Sequence, residues 1–359
     1  MRGVNCVRAD FHVDDAGLLA ALPFLPARGI GRTGRTGAPA TNRDTARDMK
    51  DKLITVIGGG GFVGRYVVQA LLAAGARVRI AQRDPRQAWF LKPLGGLGQT
   101  QFVAADVARP ETLARAVEGS DGVVNLVGVL SGDFETYHVR GARAVAAAAD
   151  AAGATHFVQV SAIGADRDSP SAYGRSKAMG EQAVREEFAD ATILRPSIVF
   201  GREDQFVNRF ARMIQSAPIV PVLRGDAKFQ PIYVADVAEA VVRTIADPTR
   251  FAGKTIELGG PDVITMAALI RWIAQTIGRE PAIVELPDQI GSLIASAGFL
   301  PDMPITRDQW KMLQSDNIVG DGASTIGDLG IEPVPMATVA PGWLIQYRKQ
   351  GRFGTHRPA

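Results

Sequence analysis

The sequence predicts an α/β fold: a doubly wound parallel sheet with helices on both faces, and a smaller C-terminal domain beside it. Three observations predict it. From Lys52 to about residue 200, short apolar runs alternate with stretches of helical period. The runs are apolar at consecutive positions, the pattern of strands covered on both faces. Beyond residue 200 this rhythm breaks into isolated helices and Pro-rich connections.

Composition narrows the classes of function. With 359 residues the chain has room for two or three domains. Its 46% hydrophobic and 21% charged residues exclude global disorder. Lys and Arg number 40 against 37 Asp and Glu, too even a balance for a dedicated nucleic-acid binder. Cys6 is the only cysteine, which excludes a disulfide scaffold and a cysteine metal site. His12, His138, His156 and His356 lack metal-ligand spacing, so no metal is expected. No apolar run reaches transmembrane length. Residues 17–26 (GLLAALPFLP) look like the apolar part of an export signal, but acidic residues precede them and two prolines interrupt them. The expected setting is the reducing cytoplasm.

Residues 1–48 carry seven Arg and five Asp, no Lys and no Glu. Without a sustained period they read as a disordered extension, or as a start misplaced ahead of Met49. An Arg-rich targeting arm is the other reading, weakened by the five Asp. The elements then follow in order. Leu53–Ile57 (LITVI) is a buried strand, and residues 61–74 form a helix after a run of glycines. Residues 77–81 and Thr100–Ala104 are the second and third strands. A helix opens over 112–117, the fourth strand covers 122–127, and 134–152 is an Ala-rich helix. His156–Val160 is the fifth strand, 171–188 a helix, and 191–194 the start of the sixth strand. This places a first domain at 49–200, completed by about 229–260. The smaller domain takes 201–228 and 261–330, with a tail at 331–359.

Between the first strand and the first helix stand Gly58-Gly59-Gly60-Gly61-Phe62-Val63-Gly64. Gly58 permits a tight turn, Gly61 lets the backbone approach a pyrophosphate, and Gly64 lets helix and strand pack closely. Phe62 and Val63 stand at the helix N-terminus, whose unpaired N–H groups attract phosphates. Strand, glycines, helix and strand in this order make a Rossmann-type dinucleotide site. The end of the second strand discriminates between cofactors. An NAD site places a carboxylate there for the ribose 2′-hydroxyl. Here the chain reads Ala81-Gln82-Arg83-Asp84, and the Arg83 guanidinium suits a 2′-phosphate. NADP(H) is the expected cofactor, with NAD(H) the second choice; Arg83 as a plain solvated charge stays open. Asp106-Val107 reads equally as an adenine contact or as a cap for the next helix. Leu126-Val127-Gly128 lies where the middle of the cofactor runs.

Tyr173 and Lys177 stand i,i+4 on one face of the helix after the fifth strand. A lysine ammonium beside a phenol lowers the phenol's pKa, making Tyr173 an acid or base usable near neutral pH. The lysine can also bond the nicotinamide ribose. The spacing by itself occurs often by chance; after a glycine-rich first turn and at this place in the strand–helix order it carries weight.

Together these residues resemble the short-chain dehydrogenase/reductase superfamily, of extended or atypical type, over about 49–330. The carriers are the 58–64 glycines, Asp106-Val107, Tyr173/Lys177, Arg195-Pro196 and residues 231–238 (PIYVADVA). Within it, residues 124–131 (VNLVGVLS), 173–181 (YGRSKAMGE), 200–210 (FGREDQFVNRF) and 328–331 (DLGI) resemble the NADPH-binding accessory subunits of respiratory complex I and their bacterial relatives. The resemblance implies a substrate-type C-terminal domain, a cofactor contact at Pro196, and Ser161 as the hydroxyl that orients a carbonyl. Two positions depart from the pattern. Val160-Ser161-Ala162-Ile163 keeps one hydroxyl where extended members carry two, and Ile57 replaces a Thr before the glycines.

Two main readings follow. In the first, the chain is an accessory or assembly subunit of respiratory complex I with a structural nucleotide. It would then sit peripherally, through its partner, on the inner face of the respiratory membrane. In the second, it is an active NADP(H)-dependent oxidoreductase, epimerase or dehydratase. Tyr173 is then the acid/base, Lys177 tunes it, and Ser161 orients the carbonyl. A nucleotide-ratio sensor is a third reading without a feature of its own. Last, Ile290, Leu293, Ile294, Ala297 and Leu300 recur at helical spacing within 286–304. They form either a helix packed on its own domain or a face that docks on a membrane-bound partner or at the lipid surface, the lack of flanking lysines favouring protein.

Overall fold

The computed structural model describes residues 49–296, 305–349 and 351. The expectations for residues 1–48, and for Ala297 and Leu300, lie outside the described residues. β1 (Leu53–Ile57) leads through the glycine turn to α1 (Phe62–Ala73) and β2 (Arg77–Gln82). A 3₁₀ helix (Pro85–Leu94) precedes β3 (Thr100–Ala104). Next come α2 (Leu113–Val117), β4 (Gly122–Asn125), α3 (Gly141–Ala151), β5 (His156–Val160), α4 (Ala172–Glu187) and β6 (Thr192–Pro196). The remainder runs β7 (Val199–Phe200), α5 (Val207–Ser216), β8 (Ile219–Leu223), β9 (Lys228–Phe229), β10 (Ile232–Tyr233), α6 (Val234–Ala246), α7 (Pro248–Phe251) and β11 (Thr255–Leu258). After it come β12 (Ile264–Thr265), α8 (Met266–Thr276), β13 (Ala282–Leu286), α9 (Asp288–Ser296) and α10 (Arg307–Met312).

Seven strands form one sheet in the order β11-β6-β5-β4-β1-β2-β3. Every neighbouring pair is parallel. Strand order reverses between β1 and β4, so the crevice for a ligand opens at the carboxyl ends of those two strands. The unbroken apolar strands are explained by two separate cores. On one face Val67, Val68 and Leu71 of α1 meet Val237, Val241 and Ile245 of α6. On the other, Leu113, Val145, Ala149 and Val184 close over Val123, Phe157 and Ile193. A third cluster holds the smaller layer: Phe200, Val207, Val220, Leu269, Ile270 and Ile273, with Met336 and Leu344.

Several element ends differ from the sequence expectation, each for a local reason. The stretch over 134–152 is not one regular helix, because it opens with a π-helical turn, Glu135–Arg140, before α3. Gly141 permits this wide turn: a Cβ there would stand 2.9 Å from the Thr136 carbonyl oxygen and 2.9 Å from Val107 Cγ2. The fourth strand ends at Asn125, two residues early. The Asn125 side chain donates to Gln159 Oε1 (2.9 Å) and accepts from the Val127 N–H (3.2 Å), which turns the chain out of the sheet. In α9 the small residues Gly291 and Ala295 are buried. A Cβ on Gly291 would strike the Trp310 ring at 2.5 Å, so that side is packed. Leu293, 73% exposed, points away from it.

Candidate functional site

The glycine turn takes the form its residues require. Gly58 has φ +83°, a conformation that L side chains rarely adopt. A Cβ on Gly64 would lie 2.4 Å from the Gly58 carbonyl oxygen, so nothing larger fits where α1 crosses the turn. Gly61 differs: a Cβ there would meet only the Gly58 oxygen, at 3.2 Å, and the residue faces open space. Gly61 is also the N-cap of α1 and provides no side-chain acceptor. The first N–H groups of α1, those of Phe62 and Val63 among them, are thus left for an outside anion. These residues fit a dinucleotide pyrophosphate.

At the end of β2, Gln82 faces back towards the turn. Its Oε1 accepts from the Gly60 N–H (2.9 Å) and its Nε2 donates to the Asp84 carbonyl (2.7 Å). Asp84 is engaged elsewhere: its carboxylate accepts from the Arg86 N–H (3.1 Å) and Nε (3.0 Å) and caps the 3₁₀ helix. Arg83 is exposed and makes no hydrogen bond or ion pair among the described residues. The strand end therefore presents a free guanidinium and no free carboxylate. Of the two roles considered for Asp106, its side chain plays a turn role, accepting from the Ala108 N–H at 3.0 Å. It caps no helix: α2 starts at Leu113 without a side-chain cap. Val107 is buried, and Leu126, Val127 and Gly128 follow β4 at the carboxyl edge. Pro196 is buried at the end of β6, its carbonyl accepting from the Ile163 N–H (3.0 Å).

Tyr173 and Lys177 lie in the first two turns of α4, capped by Ser171, whose Oγ accepts from the Gly174 N–H (2.8 Å). Lys177 is 6% exposed and its Nζ donates to the Val160 carbonyl (3.2 Å) at the end of β5. The next residue is Ser161, buried, with an Oγ that has no partner. A Cβ on Gly128 would stand 3.6 Å from Lys177 Nζ, which brings the end of β4 to the same place. The geometry corrects one expectation. Burial pushes the Tyr173 phenol up to about 12, and Lys177 does not hold it down. Burial also brings Lys177 down to about 8, against the opposing charge of Glu181. The ammonium donates to a backbone carbonyl, and among the described residues no hydrogen bond joins it to the phenol.

His138 is the residue that sequence reasoning missed. It comes from the π-helical turn, is 3% exposed, and packs edge-to-face on Tyr173 with ring centroids 5.5 Å apart. Its Nε2 accepts from the Val129 N–H (2.9 Å), so the proton sits on Nδ1, which donates to Ser176 Oγ (2.8 Å). Ser176 donates in turn to the Tyr173 carbonyl (2.8 Å). One neutral imidazole thus ties the loop after β4 to the Tyr173 turn. Burial, then the Lys177 charge, pushes its pKa down to about 4. The unfolded ring titrates near 6.5. The folded state therefore resists a proton that the unfolded state accepts, and the stability His138 contributes is complete above pH 6.5 and lost towards pH 4. The expected loss is on the order of 3 kcal/mol across that window. Urea unfolding of wild type and His138→Gln at several pH values checks it. A pH slope shared by both proteins would remove His138 as its source.

Two remote residues close the same region. Asp308 of α10 accepts from the N–H groups of Ala172 (2.6 Å) and Tyr173 (3.0 Å), so its carboxylate covers the start of α4. Asn317 receives the Ser197 hydroxyl on its Oδ1 (2.7 Å) and donates to the Ile163 carbonyl (3.3 Å). The motif FGREDQFVN has a structural role. Glu203 accepts from the Tyr66 hydroxyl (2.8 Å) and pairs with Arg65 (3.4 Å), both on α1. Asp204 accepts from the N–H groups of Gly201 (3.1 Å) and Val207 (2.6 Å). The motif thereby fastens the phosphate-facing helix to α5. Among the described residues there is no group of three or more His, Cys, Asp or Glu placed for a metal. No described helix is long and apolar enough to cross a membrane.

Comparison with known proteins agrees with this geometry. The sequence pattern of the NAD dependent epimerase/dehydratase family matches residues 54–259. The chain is 33% identical over 356 residues to an Arabidopsis thaliana protein, NADH dehydrogenase [ubiquinone] 1 alpha subcomplex subunit 9, mitochondrial. That match covers 92% of this chain and 86% of the relative. It is 31% identical to a ceramide reductase of Caulobacter vibrioides, covering 68% of this chain and 76% of that one. Among solved structures, an NADPH-dependent quinone oxidoreductase of Escherichia coli, complexed with NADPH, matches with TM-score 0.66 and 21% identity. That match covers 81% of this chain and 99% of the other, and it shows the shared fold.

Proposed function

The chain belongs to the NAD dependent epimerase/dehydratase family, and from that premise we propose that it is an NADP(H)-holding accessory subunit of respiratory complex I. It binds a nucleotide through the Rossmann-type turn. The single observation that carries the accessory role is the 33% identity, over 356 residues, to a complex I alpha subcomplex subunit 9. Beside it, Ala162 stands where a second hydroxyl is wanted, and Asp308 covers the start of α4. Gly58, Gly61, Phe62, Val63 and Gly64 would hold the pyrophosphate. Arg83 would hold the 2′-phosphate, and Lys177 the nicotinamide ribose. Asp106, Val107, Leu126, Val127, Gly128 and Pro196 would line the remainder. A bound nicotinamide would supply hydride chemistry, and the intact Tyr173/Lys177 pair with the unpartnered Ser161 hydroxyl keeps turnover as the second reading. The likeness to a ceramide reductase favours that second reading.

The expected result is preferential binding of NADPH over NADH. Arg83→Ala should weaken NADPH by about 1–3 kcal/mol, the scale of a lost charged hydrogen bond, and leave NADH unchanged. Fluorescence titration of both nucleotides checks it, and equal affinities in the wild type would overturn the NADP(H) assignment. Purification from solubilised membranes, with identification of copurifying subunits and of the retained nucleotide, tests the accessory role. Recovery free of complex I subunits, with steady turnover of an added carbonyl substrate, would replace it with the reductase reading.

A further inference from the structure

We propose that the outer face of the 3₁₀ helix Pro85–Leu94 is an interfacial anchor that seats on an anionic phospholipid bilayer. A 3₁₀ helix has three residues per turn, so side chains at i and i+3 line up in ridges. One ridge contains Ala88 and Leu91, both buried against the core of α1 and the sheet. The next ridge reads Arg86, Trp89, Lys92. Trp89 is 57% exposed, with a cation one turn before it and another one turn after it. The third ridge carries Phe90, 49% exposed, with the Arg65 guanidinium 4.9 Å above its ring. Leu94 is exposed at the helix end, and Leu97 stands fully exposed between Gly96 and Gly98.

The charge of the segment is one-sided. Asp84 is the only acid within 83–97, and Arg86 and the cap of the helix occupy it. What remains facing outwards is a tryptophan, a phenylalanine and two leucines, with Lys92 exposed among them and Arg86 in an exposed pair with Asp84. That combination matches the boundary of a bilayer. The indole sits at headgroup level, the cations meet lipid phosphates, and the leucines reach the acyl region. One feature favours lipid over a protein groove. Leu97 is fully exposed between two glycines, and fluid acyl chains need no shape complement. By contrast, α9 exposes Ile290 and Leu293 with Asp288 and no cation on the helix, a face better suited to protein.

Sedimentation of the full-length, nucleotide-loaded protein with vesicles tests the proposal. Binding is expected to vesicles of phosphatidylcholine with phosphatidylglycerol, weakly to phosphatidylcholine alone, and to fall with added salt. The double variant Trp89→Ala/Phe90→Ala should lower partition by about tenfold or more, the scale of losing a large buried side chain. Lys92→Glu should lower it several-fold, and only for the anionic vesicles. Both variants should titrate NADPH as the wild type does. Should the aromatic variant lose NADPH binding through misfolding, Lys92→Glu decides, because its altered head group lies at the surface. Absence of vesicle binding, or binding indifferent to both variants, overturns the proposal. Retention by a solubilised membrane complex without vesicle binding, lost in the same variants, would make this a protein-docking face and overturn it as well.

Discussion

Gly64→Ala is expected to weaken nucleotide binding about a hundredfold or more, although alanine is the better helix residue by about 1 kcal/mol. The reason is where the new methyl would point. It would stand 2.4 Å from the Gly58 carbonyl oxygen and 2.7 Å from both the carbonyl carbon and the Cα of Gly59. All three are backbone atoms, so no rotamer change relieves the clash, and the turn must move away from α1. Overpacking of this kind costs about 1–3 kcal/mol of stability. The effect on binding is larger, because the amides that face the pyrophosphate move with the turn. Each charge-assisted hydrogen bond is worth about 1.5–3 kcal/mol, so losing two weakens binding about a hundredfold or more. Gly61→Ala separates the two effects. Its methyl meets only one oxygen at 3.2 Å, so it should reduce nucleotide affinity with little change in stability. Titration and thermal unfolding of both variants check this, and wild-type affinity in Gly64→Ala would remove the turn as the pyrophosphate cradle.

The largest expected loss of stability comes from Arg195→Leu. Arg195, from β6, donates to both carboxylate oxygens of Glu181 on α4, at 2.9 and 2.7 Å, and approaches Glu257 of β11 at 3.7 Å. Glu181 is 7% exposed. Removing the guanidinium leaves a buried carboxylate without its partner, which costs about 3–5 kcal/mol. The pair holds α4 to the sheet, and α4 carries Tyr173 and Lys177, so nucleotide affinity should fall with stability. Replacing both members, Glu181→Leu with Arg195→Leu, should recover most of the loss, because a well-packed apolar pair of similar volume is often neutral. Urea unfolding of the two single variants and the double closes the cycle. A cost below about 1 kcal/mol for Arg195→Leu would mean that solvent screens the pair as it does at a surface.

His138 and Arg195 illustrate the limit of reading the sequence alone. Arg195 stood out as part of a family signature beside Pro196, but its two carboxylate partners lie 14 and 62 residues away on other elements. His138 carried no signal at all. In a regular helix over 134–152 it would be one polar residue in an Ala-rich stretch, and only the π-helical turn brings its ring onto Tyr173. Asp308, 135 residues beyond Tyr173, was equally invisible.

Some features depend on residues only a few positions apart, and for these the sequence was sufficient. Consecutive apolar positions require strands covered on both faces, which accounts for β1, β2, β4, β5 and β6, whereas the edge strand β3 has no buried residue. Gly58 and Gly64 answer steric conditions set within seven residues, so the turn and its fit to a pyrophosphate were legible. The i,i+4 spacing of Tyr173 and Lys177 placed both on one helical face. Tertiary structure alone decided what surrounds them. It set β11 beside β6 and closed Asp308 over the start of α4. It also turned Lys177 to the Val160 carbonyl, so that burial raises the Tyr173 phenol with no ammonium to oppose it. Backbone periodicity and steric fit are local, whereas solvation and charge depend on whatever distant segments pack against a group.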